Sequence, residues 1–239
     1  MKNNFFLFAG FCTLILSSCG TYHYYPAPVH APAFANAGEV QVSGTLGITG
    51  FAAKGGVAIT DNLSIAGLAN TNPGVDGYHC NEGEVAMGWN LKEGKSMFNI
   101  YGGLGWGGNY DQDSGDVVKN FHGYFERPFV VFSVGSAKTA FKRIRIDSYT
   151  AIKINYFMYN GYDNVYENNL YVDKRFTADH VIIEPCFGGS IGGKHVRFET
   201  GMGFSIKTIG DIGRGARIFP FRMDFGMILY FGRKFEGGE

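Results

Sequence analysis

Past its first twenty residues, this 239-residue chain has no long apolar run, so nothing there supplies the ~20 residues of a membrane-spanning helix. Net charge is missing as well. The 21 Lys and Arg balance the 21 Asp and Glu, which argues against a nucleic-acid binder and its basic surface. Charged residues make up only 18%, below the usual quarter of a soluble domain. Proline is limited to 7, and the 36 glycines follow no collagen period. The four cysteines show no zinc-type spacing. What is present in quantity is aromatic: 22 Phe, 14 Tyr and 2 Trp, too many for a disordered chain. Two classes survive, a soluble all-β domain and a β-barrel that meets lipid through alternate residues.

The amino terminus reads as an address. Met1-Lys2-Asn3-Asn4 is a short positive region, and Phe5 to Leu16 is an apolar stretch too short to serve as a stable spanning anchor. Leu16-Ser17-Ser18-Cys19-Gly20 then resembles a bacterial lipobox, an aliphatic residue and two small ones before the Cys that becomes the lipidated first residue. That resemblance implies a signal peptide over 1–18, a diacylglycerol thioether on Cys19, a fatty acid such as palmitate on its amine, and retention in a membrane. The mature chain would keep 20 basic and 21 acidic groups. Residues 19–37 carry Tyr22, Tyr24, Tyr25, Pro26, Pro28 and Pro32 without periodicity, and read as an extended lipidated tether with tyrosines suited to a headgroup zone. Of the other cysteines, Cys12 leaves with the signal, and Cys80 and Cys186 are expected as two separate thiols.

From Gly38 to the end the dominant period is two. Val40, Val42, Leu46 and Ile48 alternate with Glu39, Gln41, Ser43 and Thr45. Val85, Met87, Trp89 and Leu91 alternate with Glu84, Ala86, Gly88 and Asn90. Ile144, Ile146, Ile152 and Ile154 oppose Arg145, Asp147, Lys153 and Asn155; Val196, Phe198 and Met202 oppose Arg197 and Glu199; and Phe219 to Phe231 opposes Arg222 and Asp224. The segment around Phe129-Val130-Val131-Phe132 is ambiguous in register because the apolar run is continuous. Ten such segments are counted, within two, and none has a helical period. Links near Asp61, Glu93, Lys138 and Gly193 are short, whereas 72–79, 107–120, 159–175 and 208–216 are long; the short link near Gly50 breaks the alternation. Short turns on one rim and long loops on the other, with an even strand count, resemble the outer-membrane barrels, and more loosely the small barrels of Bacteroidota. The fold expected over 38–239 is therefore an antiparallel up-and-down transmembrane β-barrel of about ten strands.

Alternation does not say which row faces in. The polar rows hold Glu39, Glu84, Asp147, Glu184, Glu199 and Asp224 against Lys54, Arg145, Lys153, Arg197, Lys207 and Arg222, interleaved with glycines. Long charged side chains in a narrow lumen need opposite partners and small neighbours, so these twelve are expected to form an inward charge network that plugs the barrel. The apolar rows are nearly free of charge, as a lipid-facing surface requires.

Signals for a reaction are thin. Gly103, Gly105 and Gly108 have a dinucleotide-loop spacing but precede a loop, not a helix. Asp111, Asp113 and Asp116 offer Ca²⁺ hard oxygen ligands, although a solvated acidic loop is the plainer reading. Ser and His occur without a nucleophile elbow, and no catalytic residue is assigned. Tyr159, Tyr162, Tyr166 and Tyr171 fall in a long connection whose composition suits contact with a ligand or partner, or an aromatic rim. The expectation is a non-enzymatic outer-membrane lipoprotein without a cofactor, its N-terminus in the periplasm. Its partners would be membrane lipid and a possible outer-membrane protein. Two alternatives stay open: a passive transporter of small or apolar solutes, and a lipid-tethered soluble barrel that binds an apolar ligand.

Overall fold

The structure, a computed structural model, describes residues 24–29, 31–34, 36–72, 78–112, 120–141, 144–167, 170–210 and 218–232. The leader, Cys12 and Cys19 lie outside them. The alternating segments fold as β1 (Val40–Gly47), β2 (Gly50–Ala58), β3 (Leu63–Asn72), β4 (Tyr78–Glu93), β5 (Ser96–Gln112), β6 (Asn120–Phe141), β7 (Ile144–Glu167), β8 (Leu170–Gly192), β9 (Val196–Phe204), β10 (Ile206–Gly210) and β11 (Phe221–Phe231). Each strand from β1 to β8 pairs antiparallel with the next. β9 pairs with β8 and β11, and β11 returns to β1, so the sheet closes on itself. β9 and β10 both pair with β8 and are separated only by Ser205, so they form one wall interrupted at that residue. The result is a closed barrel of ten walls.

The two rims differ. At one, β2 turns into β3 through 59–62, where the Leu63 amide donates to Thr60 Oγ1 at 2.9 Å, and β4 turns into β5 at Gly94, whose φ of +58° suits glycine. Lys138, expected in a short link, instead lies in β6 opposite Ile146, and β6 runs on to Phe141, which pairs with Ile144. This is the flusher rim: Val40 faces Val57, while Leu63 faces Trp89 four residues before β4 ends and Ser96 faces Ser136 five residues before β6 ends. Most of the excess strand length stands at the opposite rim. A tilted spanning strand needs about 9–11 residues. β1, β2 and β3 have 8, 9 and 10 residues, whereas β6, β7 and β8 have 22, 24 and 23. The barrel thus has a low side, β11-β1-β2-β3, and a tall side, β5 to β8, that rises well past a bilayer's thickness. The tight turn at Gly50 caps the low side. With φ +108°, a Cβ there would lie 2.2 Å from the Thr71 carbonyl oxygen, so only glycine fits.

The pleat resolves inside from outside. On β9, Arg197 is fully buried while its neighbour Phe198 is 67% exposed. The same holds on β1, where Gln41, Ser43 and Thr45 are buried and Val42 and Leu46 exposed, and on β4, where Glu84 and Asn90 are buried and Val85, Met87 and Trp89 exposed. Apolar rows point outward all round and ionic rows inward. A soluble carrier would have the reverse arrangement, and that alternative is excluded.

The stretch expected to hang below the barrel as a tether runs inside it instead. Tyr24, Ala27, Val29 and Phe34 are all buried, and Tyr24 bridges in parallel to Ile218, just before β11. The segment descends the lumen alongside β11 to the flush rim, turns through Asn36–Gly38, and re-enters as β1. Its composition suits that path. Pro26, Pro28 and Pro32 have no backbone N–H to satisfy in a tube whose walls keep their own ladder bonds, and Ala27, Ala31 and Ala33 occupy little space. Ten residues of extended chain at ~3.1 Å each cover about 31 Å, close to the bilayer's hydrocarbon thickness.

Candidate functional site

The candidate residues gather in the lumen, because strand alternation delivers every second side chain there and the closed wall shields most of its ions from solvent. At the centre stands Arg127, fully buried on β6. It is ion-paired to Glu82 and Glu84 of β4, lies 3.9 Å from Glu184 of β8, and donates to Asn155 Oδ1 at 3.3 Å. Lys153 of β7, also fully buried, pairs with the same Glu84 and lies over the Phe129 ring, 4.3 Å from its centroid. Glu184 is held by Asn155 Nδ2 at 2.8 Å and by the Ser205 hydroxyl at 3.1 Å. Three carboxylates thus share two cations, and Glu184 is further met by an amide and a hydroxyl, the kind of support a buried ionic cluster requires.

A second cluster occupies the flush-rim half. Lys54 on β2 reaches Glu199 on β9 at 2.9 Å, and Arg197 pairs with Asp147 across β8 while stacking on Tyr230 at 4.4 Å. Arg145, partly exposed at the rim, reaches Asp147 at 2.7 Å. Between the clusters, Arg222 and Asp224 on β11 lie 3.3 Å apart. Glu39 is buried and accepts from Asn36 Nδ2 at 2.7 Å.

The threaded segment is fastened to these same groups. Arg127 donates to the Tyr24 hydroxyl and holds its guanidinium 5.0 Å from the Tyr24 ring centroid. Arg222 donates to the Ala27 carbonyl, and the Tyr101 hydroxyl donates to the Pro32 carbonyl at 2.7 Å, steadied by Ser64 Oγ at 2.7 Å. The Phe219 amide donates to the Tyr24 carbonyl at 2.9 Å. Around Tyr24 pack Phe125, Phe157, Tyr159, Ile182 and Cys80, and around Val29 pack Ala66, Phe129, Val131, Ala151 and Cys186. Both cysteines are buried, in separate clusters, with no disulfide between them. Beside Ala31 and Pro32 a cavity of about 80 Å³ remains, edged by Gln41, Lys54, Asn99, Asp147 and Glu199. Ligand pockets run to about 300–1,000 Å³, so this space suits a few waters and not a solute.

Eleven of the twelve residues assigned to the charge network line the interior, but Lys207 does not. It is exposed on β10, beyond the interruption at Ser205, where the wall pairs with β8 alone at the tall rim. Alternation sets the phase of a side chain but not its height. The same distinction corrects Tyr159, which is buried in the lumen and donates to Asn109 Oδ1 at 3.0 Å. The connection expected over 159–175 is the paired end of β7 and β8. Tyr162 points outward and stacks on His122 at 5.2 Å; Tyr166 and Tyr171 pair through their backbones, and their side chains lie outside the described residues. Asp111 is the next-to-last residue of β5, while Asp113 and Asp116 lie outside the described residues, among which no cluster of three metal-ligating side chains occurs. Sequence reasoning missed Arg127 and Glu82. Phe129 and Val131, inward and apolar, hid the phase of β6, and β4 begins earlier than the alternation suggested.

No family model and no curated protein matches the chain. Among solved structures, it is similar to LpxR from Salmonella typhimurium, with TM-score 0.39 and 11% identity over 81% of this chain and 100% of that one. It is also similar to OmpT, an outer membrane protein of Vibrio cholerae, with TM-score 0.19 and 8% identity over 81% and 96%. Likenesses this slight bear on nothing further. The chain's own geometry, a closed antiparallel barrel with apolar rows outward and ions within, defines an outer-membrane-type β-barrel.

Proposed function

We propose that this protein is a lipid-anchored, non-enzymatic outer-membrane barrel that conducts nothing and presents its tall β5–β8 wall to a partner or ligand outside the cell. The observation that carries the reading is the lumen, crossed by 24–34 and cross-linked by buried ion pairs, whose cavity beside Ala31 and Pro32, among the described residues, is only about 80 Å³. The same feature weighs against passive transport. The lipobox-like Leu16 to Cys19 supports a covalent lipid, and the outward aromatics Tyr110, Tyr124 and Tyr162 of the tall wall supply contact area that loses little side-chain freedom on binding.

Planar-bilayer recording tests the closed state. Purified protein is expected to give no conductance steps, whereas deletion of residues 24–34 is expected to give them, with heat-modifiable gel mobility showing that the variant still folds. Steps from the intact protein would refute the reading. A folded deletion variant that stayed silent would mean the ionic rows alone seal the barrel and the threaded segment has another task.

A further inference from the structure

The direction of the threaded segment fixes where the amino terminus leaves the barrel. Tyr24, fully buried, packs with Phe125 and Tyr159 and bridges Ile218, three residues before β11 begins, so it stands in the half of the lumen toward the tall-wall rim. Its bridge to Ile218 is parallel, so from Tyr24 the chain runs with β11, which descends from Phe221 at that rim to Phe231 opposite Val40 at the flush rim. Four wall groups, Arg127, Arg222, Tyr101 and the Phe219 amide, hold the segment along this path. Read backward from Gly38, the chain climbs the lumen and is still climbing at Tyr24. Tyr25, stacked on Phe219 at 5.1 Å, keeps it against the low side's approach to β11.

We propose that the residues before Tyr24 emerge at the tall-wall rim, so that Cys19 and the acyl chains it carries enter the outer leaflet at the cell surface and not the periplasmic leaflet. This rests on the outer-membrane reading above, with the short turns in the periplasm. It replaces the expectation of a periplasmic N-terminus, which took the flush-rim position of Gly38 as the position of the whole tether. Four residues separate Cys19 from Tyr24, five Cα steps with a reach of about 17 Å when extended. The rim beside them is the low one. Strands of 8 and 9 residues tilted at ~40° rise only about 20–23 Å, less than the ~25 Å apolar band of such barrels. At that edge Leu46, Ile48, Phe51 and Phe225 are all exposed, so the rim nearest the emerging chain is apolar to its tip and opens toward acyl tails. A lipid on Cys19 would therefore pass over the low wall into the leaflet while the tall wall stands on the far side. The threading also gives anchor and barrel distinct tasks: the barrel carries the terminus across the membrane, and the lipid pins it there.

Single cysteines read by a membrane-impermeant maleimide on intact cells test this, in a background with Cys80 and Cys186 changed to Ser and Cys19 retained. The three positions are Tyr22→Cys, Ser114→Cys in the β5–β6 connection and Lys95→Cys in the β4–β5 turn. The expected result is that Tyr22→Cys labels on intact cells as fully as Ser114→Cys, while Lys95→Cys labels only after the outer membrane is permeabilised. If Ser114→Cys labels and Tyr22→Cys waits for permeabilisation, the exit at the surface is wrong and the barrel reading stands. If Lys95→Cys labels and Ser114→Cys does not, or neither labels before permeabilisation, the orientation proposed for the barrel is itself wrong and this inference goes with it. An epitope inserted between Thr21 and Tyr22 and detected by antibody on intact cells gives the same reading without cysteine chemistry.

Discussion

Arg127 offers the sharpest energetic test. It is fully buried, ion-paired to Glu82 and Glu84, 3.9 Å from Glu184, and bonded to Tyr24 and Asn155, so Arg127→Met strips one cation from a cluster of three carboxylates and two cations. Breaking a buried pair by removing one partner costs about 3–5 kcal/mol, because the stranded charge keeps its desolvation penalty. Lys153 still neutralises Glu84, which argues for the lower end, about 3 kcal/mol or roughly a hundredfold in the folding equilibrium. Arg145→Met is the control: its partner Asp147 is also served by Arg197, and both lie partly exposed at the rim, so a loss of about 1 kcal/mol or less is expected. Urea unfolding in lipid vesicles, followed by fluorescence of the lipid-facing Trp89 and Trp106, measures both. The double variant Arg127→Met with Glu82→Gln should recover part of the loss, because it removes the stranded carboxylate along with its cation. Equal effects of Arg127→Met and Arg145→Met would refute the idea that the cluster is dry.

Three further outcomes are expected. Ile152→Arg, in the middle of the outward apolar row of β7, should destabilise the barrel in vesicles by about 2–4 kcal/mol, measured by the same unfolding curve. Val29→Cys in a Cys80→Ser background should form a disulfide with native Cys186, a member of the same buried cluster, seen as a mobility shift of the unfolded, unreduced chain; no shift would count against the seating of the segment there. Tyr101→Phe removes the hydroxyl that holds the Pro32 carbonyl and should cost about 1–2 kcal/mol, leaving Ser64 and Asn90 to satisfy each other at 2.8 Å.

The wall was legible in the sequence because alternation reports phase directly. Val42 against Ser43, Val85 against Glu84 and Phe198 against Arg197 each take the predicted side, and the balance of acids and bases with glycine marked the polar row as the inner one. Height along the barrel was not legible, since a period of two is the same at mid-membrane and at the rim. Lys207 and Tyr159 therefore have the expected phase or aromatic character but the wrong depth. The filling of the lumen was hidden for a different reason. Polyproline-like chain has no side-chain periodicity to reveal a buried face, so 24–34 read as linker. Its one signal was composition, with Tyr24, Tyr25, Val29 and Phe34 in eleven residues being more apolar surface than a solvated linker needs. The short link at Gly50, which broke the pattern of loops, marked the low side of the barrel.

The central claim, that the greasy rows of this cylinder look at acyl chains while its ions and its own amino-terminal segment fill the inside, is tested most directly along β9. Nitroxide labels placed singly from Val196 to Phe204 in reconstituted vesicles should give oxygen accessibility with a period of two, highest at Val196, Phe198 and Met202 and lowest at Arg197, Gly201 and Gly203. Maxima at Arg197, Gly201 and Gly203, or a flat profile accessible to water-soluble relaxants throughout, would contradict it.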